Sequence, residues 1–440
     1  MAEVAIQRTA SLAEPTGFRA AASKIAAVSV GNALEVYDFV IYSYFAIYIG
    51  HTFFPSNDPN ISLLTSLATF GVGFATRPIG AIVIGRLGDR AGRKPAMLLS
   101  FALMGVAIVG LALTPSYQSI GVAAPIIAVC FRLVQGFALG GEIGPSTSYL
   151  IEAAPALRRG LFVSFQYAGQ SFAAILAGLT GVVLTSVMSD GAMRDIGWRL
   201  AMLTGALIIP IGLLLRRGLS ETLEEPEALP AGAAPGAPTA APPRLRVVIF
   251  AVLMLASGTT VSYVLKYLTT YSIATLHMPA RVAFAGPLIG GIVGIFVSPL
   301  GGWLSDRFGR KPVMIGPWIF LLFAILPSFY AISHFRTAAV LFASTILLSG
   351  VGTIAAASVL VAVTEALPKK VRSAGLALTY AVAVSVFGGS AQFNVAWLTG
   401  ATHSPLAPAW YMMVGVAIGL VAMLGMRETA PIKLAKSRAH

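Results

Sequence analysis

The sequence predicts an all-α membrane protein: twelve transmembrane helices in two six-helix halves, with both termini on the cytoplasmic side. Three observations predict it. Of 440 residues, 57% are hydrophobic and 11% charged, against roughly a quarter charged in soluble domains. A chain so apolar cannot cover its own surface with polar groups, whereas a bilayer favours an apolar exterior. The apolar residues are gathered into long runs, and two unrelated motifs recur along the chain at nearly one spacing.

The runs are continuous rather than alternating, so they read as helices and not as barrel strands. Each approaches the ~20 residues that cross the hydrocarbon core. They fall at 24–50, 61–87, 95–114, 119–152, 158–186, 198–216, 246–274, 282–305, 312–332, 337–364, 370–400 and 406–427. Residues 1–23 are mixed and polar and the first run is too long for a signal-peptide core, so no cleavable leader is expected.

Lys and Arg set the orientation. With both termini inside, 23 of the 30 basic residues fall on the cytoplasmic side. Four lie in the opposite loops (Arg194, Arg199, Arg281, Arg336) and three within spans (Arg77, Arg132, Lys266). That bias places 1–23 and 428–440 as cytoplasmic tails. Residues 217–245 carry Glu221, Glu224, Glu225 and Glu227, then prolines among Ala and Gly. This composition neither packs nor spans, so it is expected to be a flexible cytoplasmic linker between bundles at 24–216 and 246–427.

The halves echo one another. Gly85-Arg86-Leu87-Gly88-Asp89-Arg90-Ala91-Gly92-Arg93-Lys94-Pro95 returns as Gly302-Trp303-Leu304-Ser305-Asp306-Arg307-Phe308-Gly309-Arg310-Lys311-Pro312, offset by 217. Glu152-Ala153-Ala154-Pro155 with Arg159 returns as Glu365-Ala366-Leu367-Pro368 with Arg372, offset by 213. Parallel repeats of this kind put a binding site at their interface, near the midplane.

Composition also excludes classes. The single cysteine, Cys130, rules out a disulfide framework and a multi-cysteine metal site. The net charge of +13 is dispersed between apolar runs, so no nucleic-acid face is expected. No phosphate-binding Gly-Lys motif, nucleophile elbow or metal cluster marks an enzyme.

The Asp-Arg-x-Gly-Arg-Lys loop, present twice, resembles the signature loop of the major facilitator superfamily, and Arg132-Leu133-Val134-Gln135-Gly136 through Gly140-Gly141-Glu142 resembles its second motif. Gly31-Asn32-Ala33-Leu34-Glu35-Val36-Tyr37-Asp38-Phe39 is similar to the first-helix signature of its metabolite:proton symporters. Arg77-Pro78 and Gly388-Gly389 fit that subfamily, while His51-Thr52-Phe53-Phe54-Pro55 and Pro115-Ser116-Tyr117-Gln118 lean towards the citrate–proton symporters. Val36, Ala391-Gln392 and Lys266 depart from the pattern. The resemblance implies a bacterial inner-membrane symporter that imports a small organic acid, citrate or a related di- or tricarboxylate, by alternating access. It implies a proton gradient as driving force, no cofactor, and a monomer in the lipid bilayer. A proton-coupled exporter of drug-like compounds or metabolites and a symporter of a zwitterionic osmolyte are the alternatives.

The residues themselves point to the same places. An ionisable group at mid-membrane costs about 2.5–3.5 kcal/mol on insertion scales, so each one calls for a job or a partner. Asn32, Glu35, Asp38 and Tyr42 share one stripe of the first helix; Arg132, Gln135, Leu139, Glu142 and Ser146 share one on the fourth. Asp38 and Arg132 lie at similar depth and form either a proton-sensitive pair or a structural one. Glu35 is a second proton carrier, and Glu142 is either another or a partner of Arg132. Arg132 and Arg77 are the expected anion contacts. Arg77 otherwise orders packing, and Lys266 either joins them or snorkels outwards. Gln166 and Gln170 line a cavity or bridge helices, and Tyr42, Tyr263 and Gln392 complete the expected contacts. Tyr37, Tyr44 and Tyr48 read as interface anchors.

In the repeated loops, Asp89 and Asp306 are expected to meet the positive end of the following helix. Gly85, Arg90, Arg93, Arg307 and Arg310 belong to the same loops, which in the superfamily latch the cytoplasmic side and part when it opens.

Overall fold

A computed structural model describes residues 32–33, 36–91, 93–140, 143–206, 245–368 and 372–438. All regular structure among them is helical, as continuous apolar runs require, because in lipid a helix satisfies its own backbone. Glu35, Glu142 and nearly all of the 217–245 linker lie outside the described residues, as do the side chains of Asp89, Arg90 and Arg93.

Among the described residues, eight helices are long and apolar enough to cross a bilayer: Pro59–Leu87, Ala156–Val187, Leu245–Ala274, Ala280–Phe308, Arg310–Phe335, Ala338–Ala366, Arg372–Thr402 and Ala407–Gly425. Their ends fall within three residues of the predicted ones. Two further apolar helices, Leu98–Leu113 and Ala123–Leu139, are shorter. Of the first and sixth predicted runs, residues 36–53 are helical apart from a turn at 45, and 198–206 are helical.

The elements used below are α1 (Ala46–Phe53), α2 (Pro59–Val72), α3 (Arg77–Ala91), α4 (Arg93–Leu113), α5 (Ala123–Leu139), α6 (Ile143–Ala153), α7 (Arg159–Val187) and α8 (Leu245–Ala274). They continue as α9 (Ala280–Phe308), α10 (Arg310–Phe335), α11 (Ala338–Ala366), α12 (Arg372–Ala383), α13 (Gly389–Thr402), α14 (Ala407–Gly425) and α15 (Pro431–Arg438).

Local chemistry sets the ends. Asp58 caps α2 by accepting the Asn60 N–H at 2.8 Å, with Pro59 at the first helical position, where its missing N–H costs nothing. Gly309, at φ +102°, turns the chain between α9 and α10, and a Cβ there would also strike Glu428 and Lys433.

One expectation needs correction, and two others gain detail. The predicted 119–152 run does not start as one helix: Gly121, at φ +60°, separates a short helix at Tyr117–Ile120 from α5. The predicted 370–400 run contains a π-helical turn, Val384–Gly388, between α12 and α13. The predicted C-terminal tail, 428–440, contains α15, which packs near residues 156–158 of the first half.

Small residues decide how the halves meet. A Cβ on Gly302 of α9 would strike the Gly160 carbonyl of α7, one on Gly178 the backbone of Leu288, and one on Gly181 the Phe284 ring. Gly71 of α2 and Gly389 of α13 oppose each other in the same way. Without a hydrophobic force between helices in lipid, such close backbone approach supplies the packing. Within the first half, Gly136 of α5 and Gly140 at its C-cap meet the backbone of Gly73 and Arg77, which fixes α2–α3 against α5.

Candidate functional site

Arg132, on α5, sits in an aromatic slot. Its guanidinium carbon lies 4.4 Å from the ring centroids of Phe39 and Tyr42 and 5.2 Å from that of Phe70. Nη1 donates to Gln135 Oε1 at 2.6 Å and Nη2 to the Phe70 carbonyl at 3.5 Å. The predicted Asp38–Arg132 pair forms, but at 3.8 Å, with both side chains buried. Neither Asp38 oxygen accepts a hydrogen bond among the described residues. The arginine is therefore held by rings and an amide, and the carboxylate by charge alone.

Arg77, at the start of α3, lies 4.5 Å from the Phe39 centroid and 4.2 Å from that of Phe74. One ring, Phe39, is thus in contact with two guanidinium groups. A desolvated cation–π contact is worth about 2 kcal/mol, which offsets part of the cost of burying each cation.

Arg77 opens onto a central cavity of about 90 Å³ between the halves. Asn32, Tyr167 and Gln170 line it from the first half, and Tyr263, Lys266 and Tyr380 from the second. No acidic side chain lines it among the described residues. Lys266 Nζ donates to Ser262 Oγ at 2.9 Å and lies 4.4 Å from the Tyr263 centroid. Lys266 is among the residues that line the cavity, as the substrate-contact reading requires.

Of the expected substrate contacts, Arg77, Lys266, Gln170 and Tyr263 line the cavity, whereas Arg132, Tyr42, Gln166 and Gln392 do not. Those four make contacts between helices instead. Tyr42 donates to the Ser66 carbonyl at 3.3 Å beneath Arg132, and Gln166 donates to Ser146 Oγ at 3.3 Å. Gln392 donates to Ser43 Oγ and, at 3.4 Å, to the Tyr263 carbonyl. Tyr37, read as an interface anchor, is buried and bonds Thr180 and Thr204. Sequence reasoning missed Tyr167 and Tyr380. Their signal was depth, since each lies well inside its run, away from the interfaces where anchoring tyrosines gather.

The second-half loop forms a dense cluster. Asp306 accepts the N–H groups of Gly160 (2.7 Å) and Leu161 (2.9 Å) and a 2.7 Å bond from Arg310 Nη1. Arg310 also grips both oxygens of Glu365, at 3.0 and 3.1 Å. Asp306 was expected to meet the positive end of the following helix. It instead caps α7 of the opposite half, because α9 ends against the start of α7. Glu428 takes the vacated role on α10, accepting the N–H groups of Arg310 (2.9 Å) and Lys311 (3.0 Å), with those of Thr429 and Ala430. Burial pushes the Glu428 carboxyl up, but these donors outweigh it and hold it below its ordinary value. Arg307 is exposed, its guanidinium over Trp303 and Phe308 rather than in the cluster. A Cβ on Gly85 would meet nothing within 4 Å, so packing here does not require that glycine.

Two helical halves that close on each other through glycines around a cationic cavity define a multi-pass membrane transporter rather than an enzyme. The family model of the Major Facilitator Superfamily matches residues 28–391, and the chain belongs to that superfamily. It is 34% identical over 412 residues to a citrate-proton symporter of Klebsiella pneumoniae, covering 93% of each chain. It is 34% identical over 418 residues to an alpha-ketoglutarate permease of Escherichia coli, covering 93% of this chain and 95% of the permease. A proline/betaine transporter of the same species is 30% identical over 424 residues, covering 93% of this chain and 84% of the transporter. The crystal structure of a D-xylose-proton symporter shares the fold, with a TM-score of 0.72 at 19% identity over 92% of this chain and 97% of that one.

Proposed function

We propose that this chain is a twelve-helix, proton-coupled symporter that imports a small organic acid, citrate or a related di- or tricarboxylate, across a bacterial inner membrane. In this reading both termini and the 217–245 linker are cytoplasmic, the chain works as a monomer, and the proton gradient replaces any cofactor. One observation carries the substrate class: Arg77 and Lys266, from opposite halves, face one cavity that no described acid lines. Two like charges brought together at such depth favour an anionic visitor, and the Arg fork can bond both oxygens of a carboxylate. Names of relatives support citrate and alpha-ketoglutarate as models.

Asp38 is the proton carrier in this account. Its oxygens accept no hydrogen bond among the described residues, so a proton is a partner the site can still take, and protonation cancels its attraction for Arg132. Glu35 and Glu142 retain their proposed shares in the relay. The Asp306–Arg310–Glu365 cluster and the matching first-half loop latch the cytoplasmic side and part during exchange.

A zwitterionic osmolyte is the second reading. The proline/betaine relative and the rings of Tyr167, Tyr263 and Tyr380 favour it, since aromatic walls suit quaternary ammonium groups. Proteoliposomes with an imposed inward proton gradient separate the two. We expect labelled citrate or a related acid to accumulate, and a protonophore to abolish it. Accumulation of betaine but of no carboxylate would replace the first reading by the second.

A further inference from the structure

A second cavity, of about 140 Å³, adjoins the central one. The two share Tyr167, Gln170, Gly258, Ser262, Lys266 and Ala356. The second runs on towards residue 274 of α8, residue 280 of α9 and residue 338 of α11, reaching Thr269, Thr345 and Ser349. With the termini inside, that is the outward direction. Lys266 therefore stands at the junction, with only Ser262 as a hydrogen-bond partner among the described residues.

Thr269 supplies an independent observation. It lies three residues beyond Lys266, hence on the same face of α8. Its side chain is buried, lines the second cavity, and its Oγ1 has no hydrogen-bond partner among the described residues. Most buried threonines in these helices return their hydroxyl to a carbonyl four residues back, as Thr260, Thr345 and Thr364 do. A buried hydroxyl that forgoes this bond leaves a donor free. No acidic side chain lines the second cavity among the described residues, so Lys266 is its one charge there.

We propose that the second cavity is an entry subsite for a carboxylate group, held by the Lys266 ammonium and the Thr269 hydroxyl before the substrate passes to Arg77. This rests on the organic-acid reading above. The Lys266 stem is long and flexible, and from the junction its ammonium can follow a carboxylate from one cavity into the other. A di- or tricarboxylate can span both, one group on Lys266 and Thr269 and another on Arg77.

Cysteine protection tests this in full-length protein with Cys130 replaced by Ala. Ser349→Cys reports on the second cavity alone and Thr259→Cys on the central one alone. Each is labelled with a small methanethiosulfonate reagent in membrane vesicles, with citrate, alpha-ketoglutarate or succinate as protectant. We expect the acids to protect both positions, and to protect Ser349→Cys still when Arg77 is changed to Gln. Thr269→Val, which keeps shape and loses the hydroxyl, should raise the protecting concentration at Ser349→Cys about tenfold, and Thr269→Ser should restore it. Protection of Thr259→Cys but never of Ser349→Cys would overturn the subsite and leave the organic-acid reading standing. Protection at neither position would overturn both. Protection at Ser349→Cys unaffected by Thr269→Val would show that this hydroxyl does not hold the acid, and the subsite as proposed would fail.

Discussion

The protein holds two buried clusters built from the same ingredients, arginine and carboxylate, and they are assembled in opposite ways. In the second-half cluster each carboxylate is saturated: Asp306 takes two backbone N–H groups and an arginine, and Glu365 takes both arms of Arg310 and the Thr429 hydroxyl. In the central cluster Asp38 accepts no hydrogen bond and Arg77 Nε donates none among the described residues. Saturated ion pairs fix one arrangement, because removing a partner leaves an uncompensated charge. Undersaturated ones have capacity left for a proton or a ligand. In the proposed function, the difference separates a part that holds the halves together from a part that binds.

The largest effect should come from the saturated side. Arg310→Ala strands Asp306 and Glu365, and losing one partner of a buried pair typically costs about 3–5 kcal/mol. We expect the purified protein to lose more thermal stability with this change than with any single change at the central site. A central variant that destabilised as much would break the contrast.

Next is the cavity. Arg77→Lys keeps the charge and loses the fork, so the apparent KM for a carboxylate should rise about ten- to hundredfold, the size of one good charged hydrogen bond or two. Melting and expression should hardly change. An unchanged KM with poor expression would make Arg77 a packing residue held by Phe39 and Phe74.

Asp306→Asn should slow turnover several-fold with little change in KM, measured as initial uptake against substrate concentration. The residue ties α9 to α7 across the halves and touches neither cavity. A pure loss of affinity would contradict that role.

The smallest effect concerns pH. The folded Glu428 carboxyl is held below its ordinary value, so its stabilising share is present above the ordinary carboxylate range and fades as pH falls through the folded value. Glu428→Gln should flatten the acid limb of a melting-temperature profile while leaving the neutral plateau only slightly lower. An acid limb as steep as before would assign it to other carboxylates.

The positions of eight runs were legible because lipid imposes length and polarity on every span, and the repeat because Asp306 and Arg310 echo a sequence already read once. Legible too were the proximity of Asp38 to Arg132 and the cavity-lining positions of Arg77, Lys266, Gln170 and Tyr263. What the sequence could not show was which neighbour a polar stripe meets. Gln166, Gln392 and Tyr42 sit on plausible faces, yet each bonds another helix, the neighbouring one along the chain for Gln166 and Tyr42 and a distant one in the Gln392–Ser43 bond. The cap that Asp306 makes on α7 joins residues 146 apart and has no local signature. Tyr167 and Tyr380 were hidden among other tyrosines of the spans, such as Tyr37 and Tyr42, that make interhelical hydrogen bonds.

The central claim is that the undersaturated carboxylate carries the proton that drives uptake. Reconstituted Asp38→Asn, which keeps shape but cannot be deprotonated, tests it in two assays side by side. We expect accumulation of labelled citrate under an inward proton gradient to fall to background, while exchange of labelled for unlabelled citrate without a gradient continues. Gradient-driven accumulation at the parent level would contradict the account, leaving the Asp38–Arg132 pair as structure and moving the proton to Glu35 or Glu142.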